Sequence, residues 1–295
     1  MSIDERFGVT PVINASGSET RLGGACLPLP DWRLPQGVSR SVWEFSHDPR
    51  IARDEDQHLA GAPLLDFDRQ IMRQWFPNPC RLVDLGCGTG RTLVEFASRG
   101  CECTGIDLSD DSLAVAAERL SARGLHATLI KANLCDLSCL AGDAFDGGLL
   151  LFGTLGMISG PDNRRQVVAQ AGRLLQPGGR LALHVHNVWR HLFSPTGRSW
   201  LARDLVKRLS GNPKAGDTEH DYRGIPRMFH HAFSLREVRH LLSDCGFTIR
   251  ELLPLAPVSG MAQGESGSTD AVPDLICRGW SRNLRATGWL ILAEK

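Results

Sequence analysis

The chain has 295 residues, 42% of them hydrophobic, and its 33 Lys+Arg balance 33 Asp+Glu for a formal net charge of zero. That length buries one α/β core with room for an insertion, and the neutral balance supplies no global field toward nucleic acid or an anionic membrane. Nine cysteines without a C-x-x-C pair read as free thiols in a reducing compartment rather than as disulfides or zinc ligands. The opening MSIDER lacks the basic region and apolar core of a secretion signal, and no apolar run approaches the roughly 18 residues that span a bilayer. The expectation is a cytoplasmic chain with no membrane partner and an open oligomeric state.

Residues 1–40 hold several Pro and Gly with no sustained period and are expected to form an extended arm. Within them, residues 9–24 faintly resemble the opening of pyridoxal-phosphate-dependent selenium transferases; nothing later in the chain supports that likeness, and no cofactor follows from it. Residues 41–80 change character. Phe67, Ile71 and Trp75 recur beside Leu64 and Met72 as one apolar helical stripe, which Pro77 and Pro79 end. Trp43 and Phe45 precede the stripe in a segment expected to act as a helical lid.

The stretch VDLGCGTG, residues 83–90, follows. Leu82, Val83 and Leu85 make a short buried strand, Gly86, Gly88 and Gly90 strip the turn of Cβ atoms, and residues 91–97 restart as a helix. A dinucleotide turn spaces its glycines G-x-G-x-x-G. Here the spacing is G-x-G-x-G and Asp84 stands two residues before the first glycine, which suits a cationic ligand. A second strand, CECTGID, ends in Asp107, placed to accept hydrogen bonds from a pair of ribose hydroxyls. An NAD-binding dehydrogenase is the fold-level rival, disfavoured by the spacing and by Asp84.

These motifs resemble motif I and its following acid in class I S-adenosylmethionine-dependent methyltransferases, over residues 82–185 with fainter echoes to Lys295. The resemblance implies an α/β fold: a Rossmann-like, doubly wound sheet of seven strands, mostly parallel with the last antiparallel, and helices on both faces. It places the methyltransferase domain at residues 81–295 and S-adenosylmethionine against Asp84, Gly86, Cys87, Gly88, Gly90, Asp107, Leu108, Asn133, Leu134 and Phe152. Family members often carry an acid at the position of Asn133 to meet the adenine amino group. An amide keeps one acceptor oxygen without the strength of a charge, and Asp136 is the fallback.

Beyond Asp107, Ser109 caps a helix with Asp110 and Asp111 in its first turn. Residues 127–131 form a third strand, residues 145–152 a fourth, and the loop GTLGM at 153–157 is expected to border the transferable methyl, since ligands sit outside the carboxyl ends of parallel strands. Neither an Asn-Pro-Pro-aromatic nor a Pro-Cys acceptor motif is present. Pro161 opens a helix that stops at QPGG, and residues 180–185 make the fifth strand.

That strand ends in His184-Val185-His186, with both rings on one face. A metal pair would need further ligands that the sequence does not specify, and no metal is assigned. His184 reads as a core residue; His186 is the preferred substrate contact or general base, with His230 and His231 as further catalytic candidates. Residues 188–232 interrupt the sheet with eight basic residues against four acids and a helix near Trp200–Leu209. They read either as a solvated face or as a substrate cap drawing an anionic acceptor. Ser234-Leu235-Arg236-Glu237 is a capping box. A sixth strand over residues 247–253, a Gly/Ser-rich loop over 257–273 and a closing strand over 289–293 complete the chain.

The expected activity is methyl transfer to an N or O atom of a small molecule. RNA or protein acceptors, with nucleic acid not excluded as a partner, and a non-catalytic cofactor-binding module stand as the alternatives.

Overall fold

Apolar runs that alternate with amphipathic segments can bury themselves only as parallel strands covered on both faces by crossover helices. A computed structural model, which describes residues 12–14, 29–59, 62–256, 275–279 and 281–295, has this architecture. Its strands are β1 (Val12–Asn14), β2 (Arg81–Leu85), β3 (Glu102–Asp107), β4 (Thr128–Lys131), β5 (Phe145–Leu150), β6 (Leu175–His186), β7 (Asp217–Tyr222), β8 (Ile225–His231), β9 (Thr248–Leu255) and β10 (Gly288–Glu294). The main sheet runs β1-β4-β3-β2-β5-β6-β10-β9. Pairs from β1 through β6 are parallel, and β10 lies antiparallel to both β6 and β9.

The seven expected strands are all present, and β1 adds an eighth from inside the segment expected to be an arm. Val12–Asn14 pairs in parallel with Leu129, Ile130 and Lys131, which covers a strand edge that would otherwise expose its N–H and C=O groups. The rest of residues 1–28, including most of the 9–24 likeness, and the Gly/Ser-rich loop at 257–273 lie outside the described residues.

The helices are α1 (Arg40–Ser46), α2 (Pro49–Arg53), α3 (Glu55–Leu59), α4 (Pro63–Trp75), α5 (Arg91–Ala97), α6 (Asp110–Ser121), α7 (Pro161–Leu174), α8 (Pro195–Leu209), α9 (Leu235–Asp244) and α10 (Arg282–Arg285). The single helical segment expected after residue 41 is four short helices instead. Pro49 and Pro63 each occupy a first-turn position, where proline is tolerated because its missing N–H is not needed, but through which a preceding helix cannot continue. Only α4 carries the expected stripe, with Phe67 and Met72 buried and Leu64, Ile71 and Trp75 packed beside them.

Alternation along the strands divides the core into two faces. Leu82, Cys103 and Leu149 join α4, α5 and α6 on one. Val83, Leu85, Ile106 and Val185 join α7 and α9 on the other. In the insertion, α8 is capped by Ser194, whose hydroxyl accepts from Gly197 N–H, and β7 and β8 form an antiparallel hairpin that the sequence did not announce. Ile225, Met228 and Phe229 of that hairpin pack on Val42 of α1. Insertion and N-terminal helices thereby make a common roof over the carboxyl ends of the strands.

Candidate active site

The strand-to-helix turn after β2 is held against β3, with the N–H groups of Gly86 and Cys87 both donating to the Ile106 carbonyl at 2.8 and 3.0 Å. Gly86 and Gly88 adopt φ of +83° and +52°, a left-handed backbone that disfavours a side chain. A Cβ on Gly86 would fall 2.6 Å from Thr154 Cγ2, whereas one on Gly88 would meet only the Glu55 carboxylate, at 3.7 and 3.8 Å. The main chain at Gly88 is therefore bare toward the space above it. Gly90 differs: its missing Cβ makes room for Ala116 of α6, 2.8 Å away, and it is not part of the cavity wall.

Asp107 is held by this turn. One carboxylate oxygen accepts from Gly88 N–H at 2.8 Å and the other from Ser109 N–H at 2.9 Å, which aims the remaining lone pairs upward. Burial raises its pKa, and these two N–H groups oppose the rise. Asp84 is 3% exposed; burial, followed by the neighbouring Asp107 charge, pushes its pKa up to about 7, with Arg91 acting in the opposite direction. Glu55, from α3, reaches over the turn and pairs with Arg91 at 3.0 Å. No sequence signal marked Glu55, because its place depends on how α3 folds back.

These groups open into a cavity of about 590 Å³. Asp84, Gly86, Cys87, Gly88, Asp107, Leu108, Asn133, Leu134 and Phe152 all line it. Asn133 is committed locally: its carbonyl accepts from Cys135 N–H at 3.1 Å and its amide donates to the Gln36 carbonyl at 2.9 Å. Asp136, the fallback, accepts from Ser138 N–H and lies outside the cavity wall. Of the two lid aromatics, Phe45 lines the cavity, whereas Trp43 stacks on His47 at 3.7 Å between ring centroids.

The opposite wall is rich in imidazole. His184 and His186 come from the end of β6 and His230 from β8, with ring centroids of His186 and His230 4.4 Å apart. Phe152 covers the same region with φ of +53°, a strained conformation for an aromatic residue. Gly156 is required there, since a Cβ would fall 2.4 Å from His230 Cε1. His184 Nδ1 and His230 Nε2 are buried without a hydrogen-bond partner among the described residues. Burial lowers the His184 pKa to about 4; burial, with the Arg190 charge next, lowers that of His230 to about 3.

The general-base expectation for His186 meets a different geometry. Its Nδ1 lies 2.7 Å from an Arg190 guanidinium nitrogen. A guanidinium only donates, so Nδ1 accepts and the neutral ring carries its proton on Nε2. His186 then presents a donor, not a base, and burial holds its pKa well below the ordinary value.

His231 is not brought to the cavity. It is fully buried between Asp217 and Glu237, with ring nitrogen to carboxylate distances of 2.7 Å on both sides. Arg164 stands 3.8 Å from Asp217 and Arg208 3.6 Å from Glu237. This network joins the hairpin to α7, α8 and α9. Among the described residues, no three His, Cys, Asp or Glu side chains come together as metal ligands.

Residues 82–179 match a family model described as a methyltransferase domain. A protein of Geobacillus sp. (strain WCH70) named as a putative methyltransferase is 30% identical over 115 residues, 38% of this chain and 46% of its own length. A dTDP-3-amino-3,4,6-trideoxy-alpha-D-glucopyranose N,N-dimethyltransferase of Streptomyces venezuelae is 27% identical over 202 residues, 68% of this chain and 73% of its own. Among solved structures, a SAM-dependent methyltransferase from Methanosarcina mazei superposes with a TM-score of 0.57 at 21% identity, covering 76% of this chain and 96% of that one. The chain spans about half the length of the first curated relatives it matches, 46% and 53%.

Proposed function

We propose, for a chain that belongs to the class I S-adenosylmethionine-dependent methyltransferase superfamily, that it transfers a methyl group to an N or O atom of a small-molecule acceptor. The observation that carries this reading is one cavity with two unlike ends. The bare glycine turn, Asp84 and Asp107, with the Phe152–Thr154 loop packed beside that turn, make one, and the imidazoles of His184, His186 and His230 make the other.

The first end suits the donor. Asp107, already aimed by two N–H groups, would accept from the ribose hydroxyls, and the uncovered backbone at Gly88 would allow close approach. Asp84 would lie on the side of the cationic sulfur, and Asn133 and Leu134 would flank the adenine. S-adenosylmethionine supplies, when bound, an electrophilic methyl on a good leaving group. The chain's own work is then alignment of the acceptor, worth roughly 7–11 kcal/mol of barrier when reacting atoms are well oriented. Residues of α1, α2 and the β7–β8 hairpin line the same cavity. The Streptomyces relative, named for an amino-sugar substrate, supports a small acceptor over a polymer.

Calorimetry with S-adenosylmethionine and with a nicotinamide nucleotide tests the donor assignment: saturable heat is expected with the first alone. Incubation with radiolabelled methyl donor and fractionated extract tests the acceptor class, with label expected in the small-molecule fraction. Label confined to RNA or protein would overturn that part of the reading.

A further inference from the structure

We infer that the acceptor is an acidic phenol or enol that enters as its oxyanion, held by Arg190 and the Nε2–H of His186, with no side chain removing its proton. The inference rests on the methyl-transfer reading and names the substrate class of the same site.

The charge layout comes first. Of the four carboxylates that line the cavity among the described residues, Asp84, Asp107 and Glu55 gather at the glycine turn, where Glu55 pairs with Arg91, and Asp48 pairs with Arg50 beside Arg223. Arg190 stands at the other end, and among the described residues no carboxylate lies within ion-pair distance of it; its hydrogen bond goes to an imidazole. Arg190 is exposed along part of its length, and a cation that faces a cavity without a counter-ion attracts an anion. A protonated amine entering here would meet Arg190 as a like charge.

The second observation is the direction of His186. With Nδ1 occupied by the Arg190 donor, both members of the pair offer N–H groups to the cavity. Two donors suit an oxyanion and leave an amine's own N–H groups facing donors.

The third is the weakness of the remaining bases. His184 and His230 are buried and unpartnered, and desolvation disfavours their charged forms. Tyr222, also on the wall, holds its proton more firmly for the same reason. His220 and His58, on the same cavity, are shifted down by burial and by a neighbouring guanidinium, Arg190 and Arg223 respectively. A group that cannot keep a proton near neutral pH is a poor general base, so an acceptor already ionised in solution is the chemistry this wall can serve. Phe152, Phe229, Met157 and Met228 give the same space apolar faces for a conjugated ring.

The step balances without proton transfer. The acceptor oxygen forms the O–CH₃ bond as the S–CH₃ bond breaks, and the bonding pair stays on sulfur. Anion and sulfonium become a neutral ether and a neutral thioether.

The test uses the full chain saturated with S-adenosylhomocysteine and two probes of similar shape, 4-nitrophenol and 4-nitroaniline. Absorbance of the phenolate reports the ionisation of the bound probe. The phenol should bind as its anion, at least about tenfold tighter than the aniline, with its own pKa lowered by about one unit, the same tenfold preference. Arg190→Met should erase that preference while leaving S-adenosylhomocysteine binding unchanged, and Arg190→Lys, which keeps the charge, should restore part of it. A bound phenol that stays protonated, an aniline that binds as tightly, or no binding of either probe overturns the assignment and leaves the methyltransferase reading standing. Failure of S-adenosylhomocysteine itself to bind removes both.

Discussion

Asp84→Asn separates what a buried carboxylate costs the fold from what it gives the ligand. In the folded protein the Asp84 carboxyl titrates at about 7, against an ordinary 3.8, because burial and the Asp107 charge disfavour its ionised form. Between those two values the unfolded chain has lost the proton that the folded chain still holds. Stability therefore falls as pH rises from about 4 to 7 and levels off above. A shift of about three units corresponds to about 4 kcal/mol at 1.36 kcal/mol per unit, an upper figure for a site that relaxes on ionisation. Urea unfolding of the ligand-free protein at pH 5 and pH 8 should thus show the wild type losing stability that Asp84→Asn keeps. Other buried acids, such as Asp68, raised to about 8 by burial, contribute to both proteins and cancel in the difference. With S-adenosylmethionine the order reverses. A cation draws the proton off Asp84, so wild-type affinity should rise about tenfold from pH 6 to pH 8, beyond any change in the variant. The reasoning is refuted if Asp84→Asn is no more stable than wild type at pH 8, or if both proteins show the same pH dependence of donor affinity.

Three further outcomes are expected. Asp107→Ala removes the acceptor that Gly88 and Ser109 hold in place; with hydrogen bonds to a charged group worth about 1.5–3 kcal/mol each, donor affinity measured by calorimetry should fall at least about a hundredfold, and an unchanged Kd would remove Asp107 from the donor site. His231→Leu leaves Asp217 and Glu237 without the imidazole between them; a loss of about 3–5 kcal/mol in urea unfolding is expected for removing the shared partner of two carboxylates in a buried network, and a loss under 1 kcal/mol would mean that the network does not hold the insertion. Gly86→Ala forces a left-handed residue and a 2.6 Å approach to Thr154; a destabilisation of about 1–3 kcal/mol should accompany weaker donor binding, checked by thermal melts with and without S-adenosylhomocysteine.

The residues that act through local geometry were legible in the chain itself. The glycine spacing, Asp84 before it and Asp107 at the end of the next strand are set within single strand-turn units, where main-chain sterics and alternation leave little choice. Helices α5, α6 and α9 were readable for the same reason, from a glycine turn, Ser109 and the Ser234–Glu237 box. The four helices in place of one were visible in principle, since Pro49 and Pro63 cannot sit inside a helix; the apolar stripe of α4 masked them.

What only the tertiary structure decided lies in segments without a period of their own. The β7 sequence DTEHDY has no apolar alternation and a single aromatic, Tyr222, and it becomes a strand because β8 pairs with it and docks on α1. That docking sends His230 into the cavity and turns the adjacent His231 into a buried charge network, a division that period-two alternation allows but cannot orient. His186 was found from sequence, but its direction was not: the partner on its Nδ1, Arg190, lies on a six-residue 3-10 helix after the strand. Local sequence determines which backbone can bend and which groups stand at strand ends, because those depend on a residue and its neighbours. Which ring donates, which accepts and which is sealed away depends on elements distant in the chain, and only their packing settles it.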